Sequence, residues 1–197
     1  MPASDQQRQQ LRNICEQLSE ALESSQTLGG NKDELAEIEL ALSSLNTKMA
    51  ALRDRKMLEF YNPEFNGDFR NILPCSPVSG YFNPTAPSLN IWQEHDRVYA
   101  EGSFGKIHEG PPNYVHGGII SAVYDQVLAF TAIANELPGL TASLTIKYRQ
   151  PTPLFTPVRF TTWLERQKDR HIVIHGECHS GDTLLSHAEG LFILYKK

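Results

Sequence analysis

The sequence predicts an α+β fold in which a curved antiparallel sheet wraps around one long central helix, with a helical extension at the N-terminus. Three observations predict it. Apolar residues recur at helical spacing in residues 1–60, a long apolar run follows Gly117, and strand-like runs lie on both sides of that run. The short connections between the later strand-like runs favour antiparallel neighbours in one layer.

The composition describes an ordinary globular chain. With 197 residues, 40% of them hydrophobic, the chain can bury one generous core, and its formal charge of −5 disfavours nucleic acid as a partner. Three widely separated cysteines, Cys15, Cys75 and Cys178, favour reduced thiols over a disulfide framework. The N-terminal residues form no apolar leader, and no segment approaches the length of a membrane span, so we expect a cytoplasmic protein.

Residues 1–60 predict two helices. In the first, Leu11, Ile14, Leu18 and Leu22 share one face, and Gly29-Gly30 ends it. Asn31 and Glu34 stand at the positions of a capping box that opens the second helix. The second helix carries an apolar seam spaced by threes and fours, formed by Leu35, Ile38, Leu42, Leu45, Met49 and Leu52. This seam predicts packing on another helix, in a hairpin or across a dimer, with partner docking or a lid as alternatives.

The remaining chain divides into a linker and a larger domain. Residues 61–87 are rich in Asn, Pro and Gly and predict loops, because Pro84 and Pro87 exclude a central strand. The domain spans residues 88–197. It begins with strand-like runs at 89–93 and 97–104, continues with a buried helix from about 117 to 137, and ends with runs at 141–148, 158–165, 171–178 and 184–195.

A Gly/Pro-rich approach, residues 109–115, leads into His116-Gly117-Gly118 at the start of the predicted central helix. The N–H groups of a helix start, with the helix dipole, suit an anion or a developing oxyanion. Asp125 is the lone carboxylate of this apolar helix, so we expect it to be partly desolvated and to act as a general base or nucleophile. The alternative is a structural carboxylate at an interface. His116 has two interpretations as well: a donor or base that acts on the ligand, or a residue at the helix N-terminus that is hydrogen-bonded to the approach loop.

The spacing of these groups constrains the site. Asp125 lies nine residues after His116, about 13 Å along one helix from the Gly117 and Gly118 donors. One carbonyl cannot contact both. Two antiparallel copies of the helix bring the start of one near the middle of the other, so the chemistry predicts a dimer with two shared sites.

Other candidate sites are weaker. His171, His175 and His179 share a strand face with a spacing of four residues, which separates neighbours by about 13 Å, so we expect no metal site. No phosphate loop, dinucleotide fingerprint or Gly-x-Ser-x-Gly motif is present. By residue type alone, Thr141 and Ser143 are ordinary strand hydroxyls.

Three segments together resemble a known family: residues 109–118, Asp125 in the helix, and residues 141–154. They are similar to the hotdog-fold acyl-CoA thioesterases, in particular the phenylacetate-pathway and thioesterase-superfamily-member-4-like branch. The resemblance covers residues 75–197 and leaves the N-terminal helices outside it. It implies a hotdog domain that hydrolyses an acyl-CoA thioester to a free acid and coenzyme A, without cofactor or metal, as a homodimer or dimer of dimers.

The resemblance also implies residue roles. Asp125 matches the catalytic carboxylate, Gly117 the backbone donor to the thioester carbonyl in the neighbouring subunit, His116 the histidine that positions the thioester, and Thr141 the hydroxyl that assists the water. We expect further substrate contacts from Asn113, Gly118, Ser143, Lys147 and Arg149. Gly110 departs from the family, because some members carry Asn there, and Asn113 is nearby but not equivalent.

Two other functions remain open at this point. The first is a non-catalytic acyl-CoA-binding or regulatory hotdog protein, with the N-terminal helices as its effector module. The second is a hydratase or dehydratase acting on an acyl-CoA, which requires a second acid or base for which the sequence provides no candidate.

Overall fold

The structure, a computed structural model, describes residues 4–53 and 67–195. Four helices are present there, α1 Asp5–Ser25, α2 Lys32–Ala51, α3 Phe69–Ile72 and α4 Gly117–Ala134, and a 3₁₀ turn spans Lys106–His108. The strands are β1 Leu89–Glu94, β2 Arg97–Gly102, β3 Gly139–Tyr148, β4 Val158–Lys168, β5 His171–Ser180 and β6 Thr183–Leu194. The predicted α+β class is confirmed.

The six strands form one antiparallel sheet in the order β1-β2-β4-β5-β6-β3. Strands β4, β5 and β6 form the predicted meander, since each pairs with its neighbour in sequence. The expectation that all four strands after the helix are successive neighbours is wrong for β3. It pairs with β6 at one edge of the sheet, because residues 149–157, with three prolines, carry the chain away from β3 before β4 begins.

Helix α4 supplies much of the core beneath this sheet. Its side chains Val123, Tyr124, Val127 and Leu128 are fully buried. The Tyr124 ring packs edge-on against Phe160, with ring centroids 5.1 Å apart. The helix ends at Ala134, three residues before the predicted end.

The expectation that α4 is buried all round is wrong for one side. Ala122 and Ala129 are only partly covered and Asp125 is exposed, so a stripe of small residues remains accessible beside the carboxylate. The expectation that no segment approaches the length of a membrane span is also wrong. Among the described residues, α4 alone is long and apolar enough for one, by length and composition only. Its other side packs in the core under the sheet, which accounts for its apolar character without a membrane.

The two N-terminal helices differ in how they contact the rest of the chain. Helix α1 lies against the domain through a face that includes Leu11, Cys15 and Leu18, whereas Ile14 and Leu22 of the predicted stripe are 47% and 36% exposed. The docked face of α1 is therefore rotated relative to the predicted apolar stripe. The contacts of α1 with the residues most distant in sequence are polar hydrogen bonds, made by Arg12 and Glu23.

Helix α2 begins with the expected capping box, in which Asn31 accepts hydrogen bonds from Asp33 and Glu34 N–H and the Glu34 carboxylate accepts one from the Asn31 N–H. All its residues are exposed. Within the described ranges no helix or strand packs closely along it, so α1 and α2 do not form a tight hairpin.

The described part of the predicted linker, residues 67–87, packs on the domain. Phe69 is fully buried and its ring centroid lies 5.0 Å from that of Phe130 in α4. Val78 is buried too. The part of this segment before residue 67, and residues 54–60 of the predicted helical extension, lie outside the described residues.

Candidate active site

His116 is the N-cap of α4. Its Nδ1 accepts a hydrogen bond from the Gly118 N–H at 2.9 Å, and its own N–H donates to the His108 carbonyl at 2.8 Å. The first bond requires the neutral tautomer with the proton on Nε2, so an exposed His116 presents an N–H donor to solvent. His116 therefore caps the helix with one ring nitrogen and offers a donor with the other, and its backbone N–H ties the helix start to the residue before the approach loop.

Two glycines make room for this cap. A Cβ at Gly118 would lie 3.0 Å from His116 Nδ1, and a Cβ at Gly110 would lie 2.7 Å from His116 Cα. The first is a tight contact and the second is a clash with backbone. The approach loop crosses the helix start so closely that Asn, which some members of the resembled family carry at position 110, would force the loop away from His116.

The backbone carbonyl of Gly117 is hydrogen-bonded, whereas its backbone N–H is not, among the described residues. Its carbonyl accepts hydrogen bonds from Tyr148 Oη at 2.8 Å and Ser121 Oγ at 3.0 Å. Its N–H has no acceptor among the described residues, as expected for the first turn of a helix. The geometry therefore provides a donor of the kind that holds an oxyanion. Tyr148 on β3 anchors the helix start. It lies in the segment 141–154, and its residue type alone indicated no such role.

Asp125 and Thr141 form the second group of the site. The Thr141 hydroxyl donates to Asp125 Oδ1 at 2.8 Å, and both residues are exposed. This hydrogen bond occupies one carboxylate oxygen and leaves the other facing solvent. The expected desolvation of Asp125 is wrong for the single chain, because the small apolar residues around it lie beside the carboxylate without covering it.

A β-bulge places Thr141 in this position. The pairing of β3 with β6 shifts register between Thr141 and Ser143. Beyond the bulge, Leu144 and Ile146 face the core and Tyr148 contacts α4. Strict alternation would put Thr141 on the opposite face from these residues. The extra residue at the bulge reverses the alternation and turns the Thr141 hydroxyl towards α4.

The structure does not bring all the expected substrate-binding residues together. Lys147 lies on the outer face of the sheet, in a cavity of about 440 Å³ with Thr145, His175 and His187, and the alternation of β3 places Ser143 on that face too. Neither lies near Asp125 in a single chain.

Arg149 does lie near the helix start. With Tyr114, Gly117 and Tyr148 it lines a cleft of about 330 Å³, which is at the small end of the range for ligand pockets. Asn113 lies on the loop at the rim of this cleft, with a left-handed φ of 69°, and its N–H donates to Glu109 at 2.8 Å. The cleft therefore combines a cation, two aromatic rings and the free Gly117 N–H.

His175 Nε2 lies 3.1 Å from a Glu189 oxygen on the outer face, and no group of three His, Cys, Asp or Glu residues within the described ranges is arranged to hold a metal ion.

Comparisons with known proteins fit this geometry. The model of the thioesterase superfamily matches residues 112–187. The mouse acyl-coenzyme A thioesterase THEM4 is 35% identical over 92 residues, which are 45% of this chain and 40% of that protein. The chain spans about half the length of the curated relatives that it matches.

Solved structures share the fold. The crystal structure of a thioesterase superfamily protein covers 93% of this chain and 94% of its own, with a TM-score of 0.80 and 23% identity. A hypothetical thioesterase from Streptococcus pneumoniae, solved with coenzyme A, covers 56% of this chain and 90% of its own, with a TM-score of 0.53 and 15% identity. The resemblance predicted from the sequence is thus confirmed: the segment that carries His116, Asp125 and Thr141 matches the thioesterase superfamily, and the chain has the hotdog fold.

Proposed function

We propose that this protein is an acyl-CoA thioesterase whose active site is shared between two copies of the chain. The observation that carries the proposal is the 2.8 Å hydrogen bond from Thr141 to Asp125 on an exposed surface. Asp125 lies on the same helix as Gly117, whose N–H is free. Each group suits one half of thioester hydrolysis, and the length of helix between them keeps them apart within one chain.

The chemistry follows from these groups. Asp125 accepts a proton from a water molecule, and the water oxygen bonds to the thioester carbonyl carbon. The oxyanion that forms accepts a hydrogen bond from the Gly117 N–H of the other copy, with His116 Nε2–H close by. The C–S bond then breaks, the free acid is released, and the coenzyme A thiolate takes up the proton that Asp125 received from the water, which restores the carboxylate. Thr141 orients the carboxylate throughout, because its hydroxyl fixes Oδ1 and leaves Oδ2 for the water.

The edge of the sheet supports the assembly of two copies. Among the described strands, β3 lies at an edge of the sheet and pairs with β6 alone, and most of its ten residues are exposed. Leu140 is 63% exposed beside Thr141. An exposed edge of this length is an open template for pairing with another strand. A second copy joined at β3 would also lie along the stripe of small residues on α4 and would shield Asp125 and its attacking water from bulk solvent.

The similar proteins support the substrate class. THEM4 of mouse is named an acyl-coenzyme A thioesterase, and the Streptococcus pneumoniae protein was solved with coenzyme A. Two variants of the latter replace an aspartate or a threonine that stand sixteen positions apart, which is the separation of Asp125 and Thr141 here. Arg149 in the cleft beside Gly117 is suited to the phosphates of coenzyme A.

A thiol-release assay with acyl-CoA substrates of several chain lengths tests the proposal. Asp125→Asn removes the base but keeps the size of the side chain, so kcat should fall by about 10²–10⁴-fold. Asp96→Asn, in the exposed turn between β1 and β2, is the matched control and should leave kcat unchanged. A wild-type protein that binds acyl-CoA without releasing thiol would instead be a binding protein, and an Asp125→Asn variant as fast as wild type would remove the proposed role of Asp125.

A further inference from the structure

Helix α1 reaches the approach to the active site through one side chain. Glu23, near the end of α1, accepts a hydrogen bond from the Lys106 N–H at 2.6 Å on one carboxylate oxygen and from the Ile107 N–H at 3.2 Å on the other. These contacts join residues more than 80 positions apart. The two donors open the 3₁₀ turn Lys106–His108 and have no partner within the turn, so the carboxylate of a separate helix caps it.

The turn has space for this carboxylate because residue 105 is glycine. A Cβ at Gly105 would lie 2.4 Å from Glu23 Oε2 and 2.9 Å from Oε1. Its φ of −90° is one that other residues also adopt, so backbone conformation does not require glycine here. The close approach of the Glu23 carboxylate does.

The same turn holds the start of α4. The His108 carbonyl at the end of the turn accepts the hydrogen bond from the His116 N–H at 2.8 Å. Lys106 forms a 2.6 Å ion pair with Glu109, and Glu109 in turn accepts the Asn113 N–H at 2.8 Å. The turn therefore sets the position of the approach loop at its base and of the helix cap at its end.

We propose that Glu23 is a positioning residue for the active site: through the 3₁₀ turn it fixes the His116 cap and thereby the direction of the Gly117 N–H. It contacts neither substrate nor reacting atoms. This inference deepens the proposed function and rests on it for its kinetic consequence. A donor acts on an oxyanion only when it is aimed at it, and a displacement of about 1 Å in an active site can cost about 10²-fold in rate.

Helix α1 also has a second anchor, which provides a control. Arg12 donates to the Asn71 side chain at 3.0 Å and its guanidinium stacks 4.0 Å from the centre of the Tyr81 ring. None of these residues contacts the approach loop in the hydrogen bonds and ring contacts of the structure. Loss of Arg12 should loosen α1 without moving the helix start, whereas loss of Glu23 should release the 3₁₀ turn itself.

The kinetic test compares Glu23→Gln, Glu23→Ala and Arg12→Ala in the full chain. Glu23→Ala should lower kcat by about tenfold with KM changed less than about twofold, and Glu23→Gln, which keeps one acceptor, should lose less. Gly105→Ala should reproduce the loss with Glu23 in place, because its methyl group displaces the carboxylate. Arg12→Ala should lower Tm and leave kcat unchanged. Equal kcat in Glu23→Ala and wild type, or equal losses in Glu23→Ala and Arg12→Ala, would overturn the inference.

A second measurement is independent of catalysis. The backbone amide resonances and hydrogen-exchange rates of Gly117 and Gly118 report the helix cap directly. They should change in Glu23→Ala and Gly105→Ala and stay unchanged in Arg12→Ala. Unchanged amides in both of the first two variants would overturn the inference whether or not the protein turns over acyl-CoA. Changed amides in a protein without thioesterase activity would support the positioning role while removing the proposed function.

Discussion

At the residue scale, His108 has an unusual environment for an ionisable group. It is only 6% exposed, its Nε2 donates to the Thr85 carbonyl at 3.1 Å, and its Nδ1 has no partner among the described residues. Burial lowers the pKa of this imidazole from its ordinary value of 6.5, against the smaller opposing effects of the Thr85 carbonyl and the Glu23 carboxylate. The buried ring is therefore neutral near pH 7.

This lowered pKa predicts a pH-dependent stability. Above the unfolded value of 6.5 both states are neutral at His108, and the residue contributes no pH dependence. As the pH falls below 6.5 the unfolded chain binds a proton that the folded chain does not, so the free energy of unfolding falls until the folded pKa is passed. His108→Gln keeps a donor for Thr85 and removes the titration. Denaturant unfolding between pH 7 and 5 should show a flatter profile for the variant, and parallel profiles would contradict the prediction.

Residue-level chemistry was the most predictable part of the site. The motif around His116, with Asp125 nine residues later in the middle of α4, indicated both candidate groups from residue type and spacing, since position along a helix follows from its rise. Their surroundings were less predictable. The requirement for Gly110 depends on how closely the loop crosses His116, and the exposure of Asp125 depends on what packs against that side of α4. Neither is a property of local sequence.

At the element scale, β3 shows the same difference between features that local sequence predicts and features that depend on distant contacts. Its existence follows from the β-branched and apolar residues near residue 141, but its place beside β6 and its bulge depend on contacts with distant strands. Simple alternation groups Thr141 with Lys147 on one face, whereas the bulge puts them on opposite faces. The capping box at Asn31 was predictable, in contrast, because all of its partners lie within four residues.

The bulge leads to a prediction about one strand with two matched threonines. Thr141→Val removes the hydroxyl that holds Asp125 while keeping the shape of the side chain, and we expect kcat to fall by about 10- to 100-fold with little change in Tm. Thr145→Val makes the same change on the outer face of β3, where Thr145 lines a different cavity, and should leave kcat unchanged. Thr141→Ser, which keeps the hydroxyl, should retain most of the activity. Equal rates for the two valine variants would contradict the role given to the bulge.

At the scale of the whole molecule, the apolar seam of α2 is the main surface that the fold leaves uncovered. Leu35, Ile38, Leu42, Leu45 and Met49 are each about 40–48% exposed. A seam with this spacing predicts a helical partner. The charges beside it are largely separated along the helix: the first half carries Lys32 and four acidic residues, Asp33, Glu34, Glu37 and Glu39, whereas Lys48 lies in the last turn and Arg53 just beyond it. An antiparallel second copy of α2 would place the acidic half of each helix opposite the basic end of the other, whereas a parallel copy would place like charges together.

The prediction is therefore that α2 pairs antiparallel with α2 of a second copy. Leu42→Asp, in the middle of the seam, should lower the mass in solution measured by light scattering, because it places two charges near each other at the centre of the pair. Leu40→Asp is the matched control, since Leu40 lies outside the seam and is 73% exposed; it should leave the mass unchanged. If Leu42→Asp lowers Tm at constant mass, the seam is covered by another part of the same chain. If the mass falls to that of a dimer and thiol release persists, the β3 edge and α4 assemble the proposed shared sites and α2 joins one dimer to another. Thiol release by a monomer would contradict the shared active site.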